Sequence, residues 1–272
     1  MKKAYFLSDM HLGASYMEDS RVAERRVTSF LDSIKDEAAE IYLLGDVLDY
    51  WYEYRYVVPR GYVRFFGKLA ELVDAGVRIT WVIGNHDIWI YDYIPSEIGV
   101  EVFDGVLLRD VLGTPMVMAH GDGVWQETRK FRFLRSLFRN KVCQKLFSSI
   151  HPRWTVPFAY SWSRHSRETG GADKGSTSCE VRDLRMQRNI AGLRAFCEKW
   201  LKNHPGYRYF LFGHLHELIR ETITPDSDKH ESATQAEMIV LGEWLTLFSY
   251  AVFDGREMRL ERYDPTPNMR KI

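Results

Sequence analysis

The sequence predicts an α/β fold. Three observations carry that prediction: short apolar, β-rich runs that each end in a polar, glycine-containing motif, stretches of helical spacing between them, and a strand-rich C-terminal part. Residues 4–7, 41–44, 77–83 and 116–119 read as buried strands whose C-terminal loops carry the polar groups. Between the first two, residues 19–39 place Val22, Val27, Phe30, Leu31 and Ile34 at helical spacing. Residues 62–74 do the same with Phe65, Phe66, Leu69 and Leu72. Strands alternating with helices build a layered sheet, in which polar residues gather at the carboxyl edge. A helix over 179–202 returns the chain to the core. After it, residues 207–212, 238–241, 245–253 and 258–263 read as strands, with Asp254-Gly255 as a hairpin turn. The polar stretch 222–236 reads as an exposed loop or hairpin tip.

With 272 residues and 45% apolar content, the chain can fill one large core. Its formal net charge of zero favours neither nucleic acid nor an acidic partner. Cys143, Cys179 and Cys197 form an odd set with no CxxC spacing, which suggests neither a disulfide framework nor a thiolate zinc site and fits a reducing compartment. Asp9 interrupts the first apolar run too early for a signal peptide. No stretch reaches the length of a membrane span, so membrane contact is expected to be peripheral.

Five motifs follow the strands: SDMHLG at 8–13, GDVLDY at 45–50, GNHD at 84–87, HGD at 120–122 and GHLH at 213–216. They supply Asp9, His11, Asp46, Asn85, His120, His214 and His216, the carboxylate, amide and imidazole mixture that a pair of divalent ions takes. The two-residue spacing of Asp9 and His11, and of His214 and His216, puts each pair on one side of the chain if the backbone is extended. Asp46 is expected to bridge. One ion then sits among Asp9, His11, Asp46 and His216, the other among Asp46, Asn85, His120 and His214. Such a pair lowers the pKa of water and neutralises phosphoryl oxygens in the transition state. His86 is the candidate catalyst, donating a proton to the leaving oxygen or stabilising phosphoryl oxygens as a cation. Asp49 and Asp87 are the carboxylates available to orient it, and Asp49 is favoured. Asp122 serves either a neighbouring side chain or the substrate. His151, His165, His204 and His230 fall outside these motifs.

Residues 128–167 differ in kind, with ten Lys or Arg, no Asp or Glu, and eleven interleaved aromatic or leucine side chains. The rest of the chain holds 27 basic against 37 acidic residues. An amphipathic helical pair with solvated charges would have this composition. So would a cap that attracts an anionic, partly apolar substrate or an anionic lipid surface, and the absence of any compensating acid favours the cap. Arg129 and Arg132 are the candidate substrate contacts in it, together with Asp122.

The five blocks resemble those of the calcineurin-like metallophosphoesterases: D-x-H, G-D, G-N-H, H-G and G-H-x-H. Within that superfamily, the SDMHLG opening, GDVLDYW, the HGDG block and a basic helical insert before GHLH are similar to the UDP-2,3-diacylglucosamine pyrophosphohydrolases of lipid A biosynthesis. The resemblance implies a four-layer αββα sandwich forming one domain over 1–272, with a helical cap inserted at 124–170 that holds acyl chains. It also implies two divalent ions, manganese first, with zinc, iron or magnesium as alternatives. The resemblance further implies attack on the α-phosphate, giving UMP and 2,3-diacylglucosamine 1-phosphate. The best-known branch has Arg where this chain has His86; the branch it resembles more closely keeps His. The expected setting is cytoplasmic, on the cytoplasmic face of the inner membrane, with an anionic membrane surface as partner and no nucleic acid or obligate protein partner. The rival readings are a soluble phosphodiesterase or nuclease, and a non-catalytic binding module.

Overall fold

Alternation along the first strand sets the architecture. In β1 (Lys3–Leu7), Ala4 and Phe6 face one way, Tyr5 and Leu7 the other, and all four are buried. A strand buried on both faces needs a layer on each side. The computed structural model, which describes residues 2–14, 19–124, 129–170, 179–224 and 235–265, supplies both layers.

The first sheet continues from β1 through α1 (Ser20–Ile34), β2 (Ala38–Leu44), α2 (Val63–Asp74), β3 (Arg78–Val82) and β4 (Glu101–Phe103), its strands β1 to β4 parallel. β5 (Leu107–Val111) and β6 (Thr114–Ala119) form a hairpin of the second sheet, turning at Leu112 and Gly113. Both turn residues have positive φ, 49° and 84°, as a two-residue primed turn requires. Four helices follow: α3 (Arg129–Arg139), α4 (Lys141–Ser148), α5 (Pro152–Gly170) and α6 (Cys179–Asn203). The second sheet then gains β7 (Tyr209–Phe212), parallel to β6, and β8 (Leu218–Ile223) and β9 (Ala236–Leu241) in the order β5-β6-β7-β9-β8. β10 (Ser249–Phe253) and β11 (Met258–Arg262) return to the first sheet, giving β11-β10-β1-β2-β3-β4.

Three cores separate four layers. Tyr5, Leu7 and Trp81 pack against Phe30, Leu31, Phe65 and Leu69 of α1 and α2. Ala4, Phe6, Tyr42 and Leu44 meet Met116, Met118, Tyr209 and Leu211 between the sheets. Val117, Phe210 and Phe212 pack on Leu193, Cys197 and Leu201 of α6. The result is helix, sheet, sheet, helix, as expected; burying each large apolar side chain contributes on the order of 2 kcal/mol.

Several boundaries differ from the sequence reading. The first helix ends at Ile34 rather than near 39, because Ala38 and Glu40 pair with Lys3 and Ala4 of β1. The strand expected over 245–253 begins only at Ser249, since Glu243 draws the preceding N–H groups into a turn. Thr222 and Ile223 belong to β8 and Ala236 to β9; residues 225–234 of the expected loop lie outside the described residues. β4, β5 and β8 were not anticipated, because their exposed, charged residues blur the alternation. Among the described residues, no helix is long and apolar enough to cross a membrane.

The helices between β6 and α6 are tied to the sandwich by the aromatic residues after the second motif. Tyr52 Oη donates to Gln144 O at 2.7 Å, and Trp89 Nε1 to Phe138 O at 2.9 Å. Tyr54 shares a hydroxyl hydrogen bond with Thr155, and Trp89 stacks on Phe147. Trp51, by contrast, is core.

Candidate metal centre

All five motifs lie at strand ends: Asp9 and His11 follow β1, Asp46 and Asp49 follow β2, Asn85 to Asp87 follow β3, His120 and Asp122 follow β6, and His214 and His216 follow β7. Parallel strands bring these ends to one edge. Backbone bonds then stitch the loops: Asp9 N–H to Gly45 O (3.0 Å), His11 N–H to Asp46 O (2.9 Å) and Gly213 N–H to His120 O (2.8 Å).

The local backbone is not extended. Asp9, His11, Asp46, His214 and His216 have φ of 53°, 43°, 52°, 67° and 58°. The paired ligand candidates therefore share a side through left-handed backbone, which corrects the reading from spacing. Each such residue costs on the order of 1 kcal/mol, and Asp and His tolerate the region better than most. Two glycines make room: a Cβ at Gly84 would overlap the Asp46 carboxylate, and one at Gly213 the Asp9 carboxylate.

Two clusters meet at one oxygen. Asp46 Oδ2 lies 3.4 Å from His120 Nε2 and 3.7 Å from His11 Nε2, while Asp46 Oδ1 accepts the His86 N–H at 2.9 Å. On one side, Asp9 Oδ1 is 3.8 Å from His11 Nε2 and 3.3 Å from His216 Nε2. On the other, His120 Nε2 is 3.1 Å from Asn85 Oδ1 and 3.2 Å from His214 Nδ1. Asp9, His11 and His216 could hold an ion, as could Asp46, His120 and His214; His11, Asp46 and His86 also converge closely enough.

The donor chemistry fits divalent ions. His120 Nδ1 donates to Leu44 O at 2.8 Å, which fixes the ring and leaves Nε2, facing Asn85 Oδ1 and Asp46 Oδ2, as the atom that would ligate an ion once its proton is displaced. Asp9 Oδ2 accepts the His214 N–H, whereas the buried Asp9 Oδ1 has no hydrogen-bond donor. Burial alone would raise Asp9, but the neighbouring imidazoles of His216, His11 and His120 bring it down to about 2. Burial opposes ionisation of Asp46 too, yet His120 and His86 hold it well below the usual carboxylate range. Burial and the neighbouring His120 push His214 down to about 4, so it is neutral and able to ligate. His120 goes the other way: Asp46 and Asp9 overcome burial and raise it, giving a proton that a cation would displace.

The structure changes several assignments around this centre. His86 Nδ1 donates to the backbone carbonyl of Asp49 at 2.9 Å; the Asp49 carboxylate is 3.7 Å away and lies 3.5 Å from His11 Nδ1. Asp49 thus orients His86 through its main chain. Asp87 does not serve His86: its oxygens accept from Gly84 N, Val47 N and Trp81 Nε1, tying the second and third motifs together. Burial, then the Asp46 charge, raises Asp87 to about 6. Asp122 is buried and lies 3.4 Å from Arg135 Nε, whose guanidinium covers Gly123. Arg135 is therefore the cap arginine at the site's edge. Arg132 is exposed, and the side chain of Arg129 lies outside the described residues. Sequence reasoning missed Arg135 because ten basic residues offered no means of ranking them.

Carboxylates, an amide and imidazoles at the joined edge of two sheets, converging on one shared oxygen, define a metal-dependent phosphoesterase, and the His/Asp clusters are consistent with a dimetal site. The chain belongs to the calcineurin-like phosphoesterase family, whose model matches residues 2–218. It is 37% identical over 262 residues to a UDP-2,3-diacylglucosamine hydrolase of Porphyromonas gingivalis, covering 95% of this chain and 97% of the relative. It is also 27% identical to proteins of that name from Neisseria meningitidis serogroup C, over 90% of both chains, and from Vibrio atlanticus, over 95% and 96%.

Proposed function

We propose that this protein hydrolyses UDP-2,3-diacylglucosamine, the compound in the relatives' name, to UMP and 2,3-diacylglucosamine 1-phosphate. The shared Asp46 Oδ2, between two imidazole clusters, is the observation that carries a dinuclear mechanism. Asp9, His11, Asp46 and His216 would hold one ion and Asp46, Asn85, His120 and His214 the other, manganese being the expected metal. Bound there, the ions would lower the pKa of water and neutralise the phosphoryl oxygens. Water adds to the α-phosphorus, the bond to the β-phosphate oxygen breaks, and that oxygen leaves with the sugar phosphate. His86, its Nδ1–H fixed by Asp49 O, would present Nε2 to the leaving oxygen or the phosphoryl group. In the single domain 1–272, the insert at 124–170 would cap the site and take the acyl chains, with Arg129, Arg132 and Asp122 as substrate contacts.

Protein loaded with Mn2+ is expected to release UMP from UDP-2,3-diacylglucosamine. No UMP, with rapid hydrolysis of a soluble nucleotide or phosphodiester, would overturn the lipid substrate in favour of the phosphodiesterase reading.

The cap also supports peripheral attachment to the cytoplasmic face of the inner membrane. Trp154 and Phe158, 70% and 61% exposed, lie one turn apart on α5, and Val142 and Leu146 do so on α4, beside Lys141, Lys145 and Arg153. Amphipathic faces of this kind bind anionic bilayers. Vesicles containing phosphatidylglycerol are expected to retain the protein, more weakly at high salt, and a Trp154→Ser/Phe158→Ser variant is expected to be released. Equal retention of both proteins would refute that docking face.

A further inference from the structure

We propose that Glu243 is a positioning residue for the ion held by Asp9, His11 and His216; this rests on the metal reading above and not on the identity of the substrate. Glu243 is 4% exposed, and its carboxylate gathers the turn that follows it. Oε1 accepts from Leu247 N (2.7 Å), Thr246 Oγ1 (2.7 Å) and Thr246 N (3.1 Å), and Oε2 accepts from Thr246 N and Leu245 N. Burying a carboxylate costs several kcal/mol unless donors surround it, and here the donors are the turn itself. The turn is also wound tightly, with φ of 78° at Gly242 and 50° at Phe248. Ser249 closes it, its N–H donating to Glu243 O and its Oγ to Leu241 O.

The turn reaches the site through one residue. With 245 to 247 turned onto Glu243, the N–H of Trp244 points the other way and donates to Asp9 O at 3.1 Å. Asp9 is then held at three points: its N–H by Gly45 O, its carbonyl by Trp244, and its Oδ2 by His214 N. Its left-handed φ of 53° is strained, so it persists only while neighbours impose it. What remains is Oδ1, buried and facing His11 and His216. Trp244 and Leu245 also line a small cavity with Met10 and His11, so the turn borders the loop that carries Asp9 and His11. In the other cluster, Asp46 O accepts from His11 N and His120 Nδ1 donates to Leu44 O, so these ligand candidates are held by the loops around β1 and β2 and not by this turn. Glu243 therefore acts on one ion site of the two.

The test is an Mn2+ titration of the full chain after chelation, with free Mn2+ read by electron paramagnetic resonance. The wild type is expected to bind two equivalents. Glu243→Ala is expected to bind one with unchanged affinity and the other about 10- to 100-fold more weakly, the range for residues that orient a ligand. Glu243→Gln, which keeps one acceptor oxygen, is expected to shift the same equivalent less and keeps the test informative if the Ala variant fails to fold. Glu53→Ala is the matched control. Glu53 likewise accepts from the N–H groups of Tyr91, Asp92 and Tyr93, but away from Asp9, so its loss is expected to lower the melting temperature and leave both Mn2+ affinities unchanged. Two wild-type affinities in both Glu243 variants, or equal weakening of both equivalents in the Glu243 and Glu53 variants alike, would overturn the proposal. A wild type that binds no Mn2+ would overturn the metal reading, and this inference with it.

Discussion

Replacing Asp46 by Ala is expected to abolish turnover and metal pairing together. Asp46 Oδ2 faces both His11 and His120, so no other side chain can take its place between the two clusters. Its Oδ1 accepts the His86 N–H, and Ala leaves that donor without its partner as well. Ala also pays more than Asp for the φ of 52°, on the order of 1 kcal/mol, so the variant is expected to be less stable. Asp46→Asn separates the two effects, because Asn tolerates that backbone but brings no charge. It is expected to fold like the wild type and still fail to pair two Mn2+ ions. Near-normal UMP release by either variant would refute the bridging role.

Replacing His86 by Ala is expected to lower kcat by 10²- to 10⁴-fold with Mn2+ content unchanged, the range for a group that moves a proton at the reacting atoms. The bond from His86 to Asp46 is made by the backbone N–H and survives the substitution. What disappears is the ring, with its Nδ1–H held by Asp49 O. Because His86 also stands close enough to His11 and Asp46 to share an ion, metal analysis of the variant decides its role. Loss of one Mn2+ equivalent along with activity would make His86 a ligand and remove it as the proton donor.

Much of the site was legible because a motif records local requirements. A glycine ahead of Asn85 or His214 is demanded by the carboxylate of Asp46 or Asp9 that packs against it, and such a demand is written into the chain as a GN or GH pair. The four layers were legible for a similar reason, since a strand such as β1, apolar on both faces, can only be an inner one. Weakly amphipathic edge strands such as β5 and β8 were not legible, because exposure removes the periodic signal that marks them.

The sequence by itself determined the chemistry: which residues bring carboxylate, amide and imidazole to the strand ends, and that a cationic, aromatic insert stands between the fourth and fifth motifs. Only the tertiary structure decided how each atom is used. It assigned the Asp49 carbonyl rather than its carboxylate to His86, set Arg135 beside Asp122, and gave Asp87 to the loops. It also joined Asp9 to His214, 205 positions apart, and to a turn wound around Glu243. Ligand chemistry belongs to the side chain and is fixed when the residue is chosen. The direction of one lone pair depends on backbone angles and partners that exist only after the two sheets have packed.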